Sequence, residues 1–403
     1  MAPSPDGDGD AAAALALARR VNLIEALTEE LGRCVLEDDD AAETMTEEEI
    51  RAAFAAAAAA PAAAASPPPL VLLRPEPDPA AFRAWFPRAA KTTNADSSSS
   101  SRPLILCFPP AGCGEDVYTF EGATDKNPLV SWCLGEGGAD LLAAQPPGRG
   151  ARLREPAPAT LREYASLVAP LVARRVALAP WWAVVGHSMG AWAAVEVASA
   201  VAEALGDGDK PPAVLAVSAI PPPDWPPEDQ PWRQQRTLDD AQFALECRAW
   251  DVSDAVFEES MWRLFSPCLR ADFKLFDEYI YPQDEGLATT VVKRGGGGGG
   301  GGGEVVLGWG RRDRRVTREM VAAWTAWVKG GDGGNDGNVR FTEVEVDGHH
   351  LWPLERRQQQ QQRQQQRQGE EEAAAAAGPD PRAVWFDAIV GALGRAAAHY
   401  NSD

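Results

Sequence analysis

The stretch Gly186-His187-Ser188-Met189-Gly190 sets a serine hydroxyl between two glycines. Such a hydroxyl becomes a nucleophile when a histidine takes its proton and a carboxylate orients that histidine. The chain has only 4 histidines, so the search for a base is short. His187 lies inside the serine turn, and His399 lies in a helical C-terminal stretch. His349 and His350 remain, next to each other beyond Asp313. The order Ser188, Asp313, His349 is that of nucleophile, acid and base, and its chemistry is covalent acyl transfer. We read His349 as the base, with His350 as the adjacent alternative. Arg311, Arg312, Arg314 and Arg315 flank Asp313 and are expected to favour its ionised form.

Those residues act together only if secondary structure brings them together. Trp181 to Val185 is an apolar run of buried-strand type, and Ala191 to Ala204 is an alanine-rich helix. Strand, G-x-S-x-G, helix is the setting that holds a serine on a tight, strained turn above a helix N-terminus. Further strands are expected at 103–108, 139–144, 213–218, 305–309 and 339–346. Asp313 and His349 each follow one of the last two. Thr160 to Arg175 reads as an amphipathic helix that Pro170 should kink. Helices are also expected from Thr317 to Val328 and from Pro381 to His399, the latter with Trp385, Ile389 and Leu393 on its buried face. Residues 221–285 break this alternation with three prolines and a series of aromatic helical pieces, an insertion of lid type. Its aromatics are expected to line an acyl channel, although most must simply pack onto the core.

Residues 1–78 form an acidic, alanine-rich extension, helical or partly disordered. It carries a helical repeat from Leu17 to Val35 and a capping box, Thr46 with Glu49, that starts a second helix ended by Pro61. The domain expected to act spans 79–400. Low-complexity insertions interrupt it at 295–303 (glycine) and 358–377 (glutamine, then alanine).

With 403 residues, 45% of them hydrophobic, the chain can build one large α/β domain with appendages. A net charge of -21 argues against nucleic acid or an anionic membrane as partner. The 6 cysteines show neither C-x-x-C nor metal-like spacing, and are expected as free thiols with no metal and no cofactor. No apolar run is long enough for a membrane span, and the acidic first residues fit no secretory or transit signal. The expected protein is therefore soluble, without membrane insertion, cytoplasmic or in an organelle, and monomeric.

Taken together, the motifs resemble those of the type II thioesterases of polyketide and nonribosomal peptide synthesis and of medium-chain fatty acid synthesis. The matching stretches are Trp85 to Arg88, Phe108 to Gly112, Gln145 to Arg149, Gly186 to Ala191, Leu269 to Phe273, Gly310 to Asp313 and Gly348-His349, within about 82–400. Where the pattern has Gly-Gly-His followed by two aromatics, this chain has Asp347-Gly348-His349-His350-Leu351-Trp352. Trp192 replaces a smaller apolar residue. The resemblance implies an α/β-hydrolase fold, with a mostly parallel central sheet and a helical lid insertion. It carries Ser188, Asp313 and His349 over as the triad. The amides of Met189 and of Ala111, in the small-residue loop after the first core strand, become the oxyanion donors. The implied partner is an acyl carrier protein or carrier domain, whose phosphopantetheine bears the acyl group. Arg149, Arg152 and Arg154 are candidate docking cations for such an acidic partner. A carboxylesterase or lipase with the same triad, or a silent binding protein of this fold, are the alternatives.

Overall fold

A computed structural model describes residues 17, 19–20, 23, 45–59, 77–93, 102–120, 127–206, 210–281, 303–329, 339–354 and 379–400. The expected repeat from Leu17 to Val35 and both low-complexity insertions lie largely or wholly outside these residues. The chain divides into Met1–Glu76 and Pro77–Asp403. In the first unit, a helix spans Glu47–Ala59. Its start is the expected capping box: the Glu49 carboxylate accepts from the Thr46 amide at 2.8 Å, and the Thr46 hydroxyl accepts from the Glu49 amide at 3.3 Å.

In the second unit five apolar strands are buried on both faces, as parallel strands between helical layers must be, and a sixth, at one edge of the sheet, is buried only in part. They are β1 (Leu104–Phe108), β2 (Asp140–Ala143), β3 (Trp182–His187), β4 (Val214–Ser218), β5 (Glu304–Gly310) and β6 (Arg340–Val346). The order is β2-β1-β3-β4-β5-β6, and every pairing is parallel rather than mostly so. Side chains alternate between two cores. Leu104, Leu106, Val184 and Leu215 face one, while Ile105, Cys107, Val185 and Ala216 face the other. The helices Leu161–Leu178 and Met189–Leu205 cover the first face. The helices Pro128–Leu134 and Pro381–Tyr400 cover the second. There Trp385, Ile389 and Leu393 are fully buried, each worth about 1.5–3 kcal/mol.

The expected amphipathic helix spans Leu161–Leu178 with Pro170 inside it. One stretch departs from expectation: after Thr317 there are two short helices, Arg318–Ala322 and Trp324–Lys329. The second carries Trp324, whose indole donates to the Ile220 carbonyl at 2.8 Å.

Between β4 and β5 the insertion forms helices Asp240–Ala249 and Glu259–Asp277. Its aromatics pack on one another and on the first core: Phe243 lies edge-on to Phe273 at 5.2 Å, and Trp250 to Phe276 at 5.6 Å. Because all strands point one way, the loops after β1, β2, β3, β5 and β6 leave from one edge of the sheet. These are the loops that hold the candidate residues.

Candidate active site

Ser188 follows β3 directly and precedes the helix Met189–Leu205. Its φ is 54°, a left-handed conformation that costs about 1–3 kcal/mol in a residue with a side chain. The two glycines allow the turn. A Cβ on Gly186 would lie 2.3 Å from the Gly190 carbonyl oxygen. One on Gly190 would lie 2.1 Å from that of Phe108 and 2.6 Å from that of Pro109. The helix start is thus pressed against the loop that leaves β1. This brings the Met189 amide, which has no acceptor within its own helix, beside the segment containing Ala111. The next amide in that segment, Gly112, is engaged: it donates to Asp272 at 2.7 Å.

The structure corrects the choice of histidine. His350 Nε2 lies 2.9 Å from Ser188 Oγ, and His350 Nδ1 lies 2.7 Å from Asp313 Oδ2. His349 points away; its Nδ1 accepts from the Leu351 amide at 3.1 Å and lies 3.9 Å from the Asp251 carboxylate. The cause is the route of the backbone after β6. The Gly348 carbonyl accepts from the Arg312 amide at 3.0 Å, and the His350 carbonyl faces His187 Nε2 at 2.8 Å. These anchors aim His350 at the serine. A signal for it was present in the sequence: the apolar pair Leu351-Trp352, in the place of the two aromatics that follow the base in the resembling family, directly follows His350.

Asp313 is fully buried as a side chain. Burial pushes its carboxyl up, but the nearby His350 charge, the hydrogen bond to it and the Val316 and Arg315 amides together hold it below the usual range. Those amides reach Oδ1 at 3.0 and 2.9 Å. The four flanking arginines do not supply this effect. Arg311 and Arg312 pair with Asp347, Arg314 with Asp251, and Arg315 with the buried Glu246. With Asp313 ionised, His350 Nδ1 donates to it and Nε2 is left to accept the serine proton. This is the arrangement needed for a nucleophilic hydroxyl. Ser188 is 5% exposed and His350 1%, so the chemistry is shielded from bulk water.

Two residues outside the expected set hold this array. His187 is buried and spans Ser218 Oγ at 2.7 Å and the His350 carbonyl. Asp272, in the lid helix, takes a bidentate pair from Arg149 at 2.6 and 2.7 Å as well as the Gly112 amide. Arg149 also donates to the Cys113 carbonyl at 2.7 Å.

That pairing corrects the docking assignment. Arg149 is 6% exposed and Arg152 8%. Arg152 donates to the Gln145 carbonyl at 2.7 Å, pairs with Glu155, and lies 4.6 Å over the Trp85 ring. Both are structural, and Arg154 alone of the three is exposed. Cys107, Cys113, Cys133, Cys247 and Cys268 are free thiols; Cys34 is outside the described residues. Among the described residues there is no group of side chains fit to hold a metal, and no helix long and apolar enough to cross a membrane.

A family model described as thioesterase domain matches residues 103–332. No curated protein sequence matches the chain significantly. Among solved structures, ClbQ from the colibactin NRPS/PKS pathway is 18% identical, with a TM-score of 0.50 over 75% of this chain and 99% of its own. The RedJ thioesterase of the prodiginine pathway in Streptomyces coelicolor is 21% identical, with a TM-score of 0.48 over 77% and 93%. The type II thioesterase BorB from the borrelidin biosynthetic cluster is 24% identical, with a TM-score of 0.45 over 68% and 92%.

Proposed function

The chain belongs to the thioesterase domain family, on an α/β-hydrolase fold, and from that we propose that it hydrolyses acyl groups from the phosphopantetheine thioesters of carrier proteins by Ser-His-Asp catalysis. The single observation that carries the mechanism is the double reach of His350, to Ser188 on one side and Asp313 on the other. The carrier-borne substrate, in fatty acid, polyketide or nonribosomal peptide synthesis, is supported by the joint motif resemblance.

In this reading Ser188 Oγ attacks the thioester carbonyl as His350 Nε2 takes its proton. The Met189 and Ala111 amides receive the tetrahedral oxyanion, each such donor being worth about 10²–10³ in rate. The imidazolium, held by Asp313, gives its proton to the departing thiol. A water deprotonated by the same nitrogen then attacks the acyl-serine and frees the acid. The chain itself needs no cofactor for these steps.

The test is a set of three variants. Ser188→Ala should abolish turnover of acyl-carrier thioesters. His350→Ala should cost about 10⁴–10⁶ in kcat, and His349→Ala no more than about threefold. A dead His349→Ala beside an active His350→Ala would overturn the mechanism. A higher kcat/KM on p-nitrophenyl esters than on acyl-carrier thioesters would overturn the substrate assignment.

A further inference from the structure

Asp251 lies in the lid, just after the helix Asp240–Ala249, and has a φ of 60°. Asp and Asn tolerate this left-handed region better than other residues with side chains, yet it still carries strain. What the conformation achieves is visible in the contacts. Asp251 Oδ2 accepts the His350 amide at 2.9 Å, and Oδ1 is paired with Arg314. Arg314 also donates to the Arg248 carbonyl, which ties the guanidinium to the same lid segment. The neighbouring Trp250 ring stands edge-on to the His350 imidazole at 4.6 Å, and its indole donates to the buried Glu246.

His350 belongs to no strand or helix. Its carbonyl is held from the sheet side by His187, and its amide from the lid side by Asp251. Without the second contact the base is anchored on one side only. We propose that Asp251 is a positioning residue for His350: the lid supplies the acceptor that aims the base, so the triad is assembled only while the lid is seated. This inference rests on His350 being the base, as read above.

The experiment follows labelling of Ser188 by a fluorophosphonate, which reports serine activation without an acyl-carrier substrate, beside kcat and KM on a small acyl thioester. Asp251→Gly removes the carboxylate while suiting the backbone conformation. It should slow labelling and lower kcat by about 10- to 100-fold, the scale of an ångström-sized misplacement, with KM within about twofold. Asp251→Asn keeps an acceptor oxygen and should restore both to within about threefold, a loss of the size expected for a pair whose arginine is exposed to solvent. Labelling of Asp251→Gly at the wild-type rate would overturn the proposal. So would an Asp251→Asn as slow as Asp251→Gly, because charge or packing would then be responsible. If Asp251→Gly does not fold, Arg314→Gln carries the test. It frees the carboxylate and should slow labelling about two- to fivefold, and a wild-type rate there would overturn the proposal. A wild type that labels but cleaves no thioester would sink the substrate reading alone, and the labelling rates would still decide the role of Asp251.

Discussion

His187 Nε2 and the carbonyl oxygen of His350 lie 2.8 Å apart, across 163 positions of sequence. A carbonyl only accepts, so Nε2 carries the proton and Nδ1 takes the Ser218 hydroxyl's. Burial, reinforced by the charge of His350, pushes the His187 titration down to about 3, and the ring is neutral. The residue beside Ser188 therefore holds the backbone of His350, the proposed base.

Removing that ring should be costly in two ways. His187→Ala leaves a cavity and two unpaired polar groups, for about 2–4 kcal/mol in urea unfolding, and should lower kcat at least about tenfold. It should also change the pH dependence. Between its ordinary 6.5 and about 3, the unfolded chain binds a proton at His187 that the folded chain refuses. Stability conferred there is lost as pH falls, and the variant should show a shallower loss than the wild type.

Asp277 predicts the opposite slope. Burial pushes its carboxyl up to about 7 from an ordinary 3.8, although the Gln235 amide donates to it. As pH rises from about 4 to about 7 the unfolded chain gives up the proton while the folded chain keeps it, so folding is progressively disfavoured. The melting temperature of Asp277→Asn should rise relative to wild type across that interval. A constant difference between the two would show that the carboxyl does not titrate there.

The buried Arg149–Asp272 pair separates stability from catalysis. Asp272→Ala strands a guanidinium and should cost about 3–5 kcal/mol. The double replacement Arg149→Met with Asp272→Leu should recover much of that stability. It should not recover kcat, because Gly112 still lacks its acceptor beside the proposed oxyanion amide. Recovery of both would assign the pair a purely structural role.

Arg152→Glu should act through the fold rather than through docking. It puts a carboxylate against the Gln145 carbonyl and removes the guanidinium over Trp85. The expected result is a lower melting temperature and equal loss of activity on carrier-borne and small thioesters. Arg154→Glu, at an exposed position, should leave the melting temperature unchanged, which thermal unfolding of the two variants would show directly.

Local chemistry wrote most of the architecture into the sequence. Five apolar runs of strand length and the imperfectly alternating stretch 339–346 became six strands within a few residues of their expected bounds, because parallel strands buried on both faces leave an unbroken apolar signature and a part-buried edge strand an alternating one. The serine turn was legible for a similar reason, since only glycine tolerates the backbone contacts at 186 and 190. Asp313 followed from its place after a strand.

Direction and partnership were decided only by the tertiary structure. His349 and His350 are equivalent in composition and differ in where the chain turns after Gly348, which is set by contacts with Arg312, His187 and Asp251. Arg149 and Arg152 read as solvated loop cations until burial paired one with Asp272 and closed the other over Trp85. A side chain's partners can lie more than a hundred residues away, as with Arg149 and Asp272. Neither spacing nor local propensity encodes which of two neighbours will face them; packing of the lid and the β5–β6 loops does.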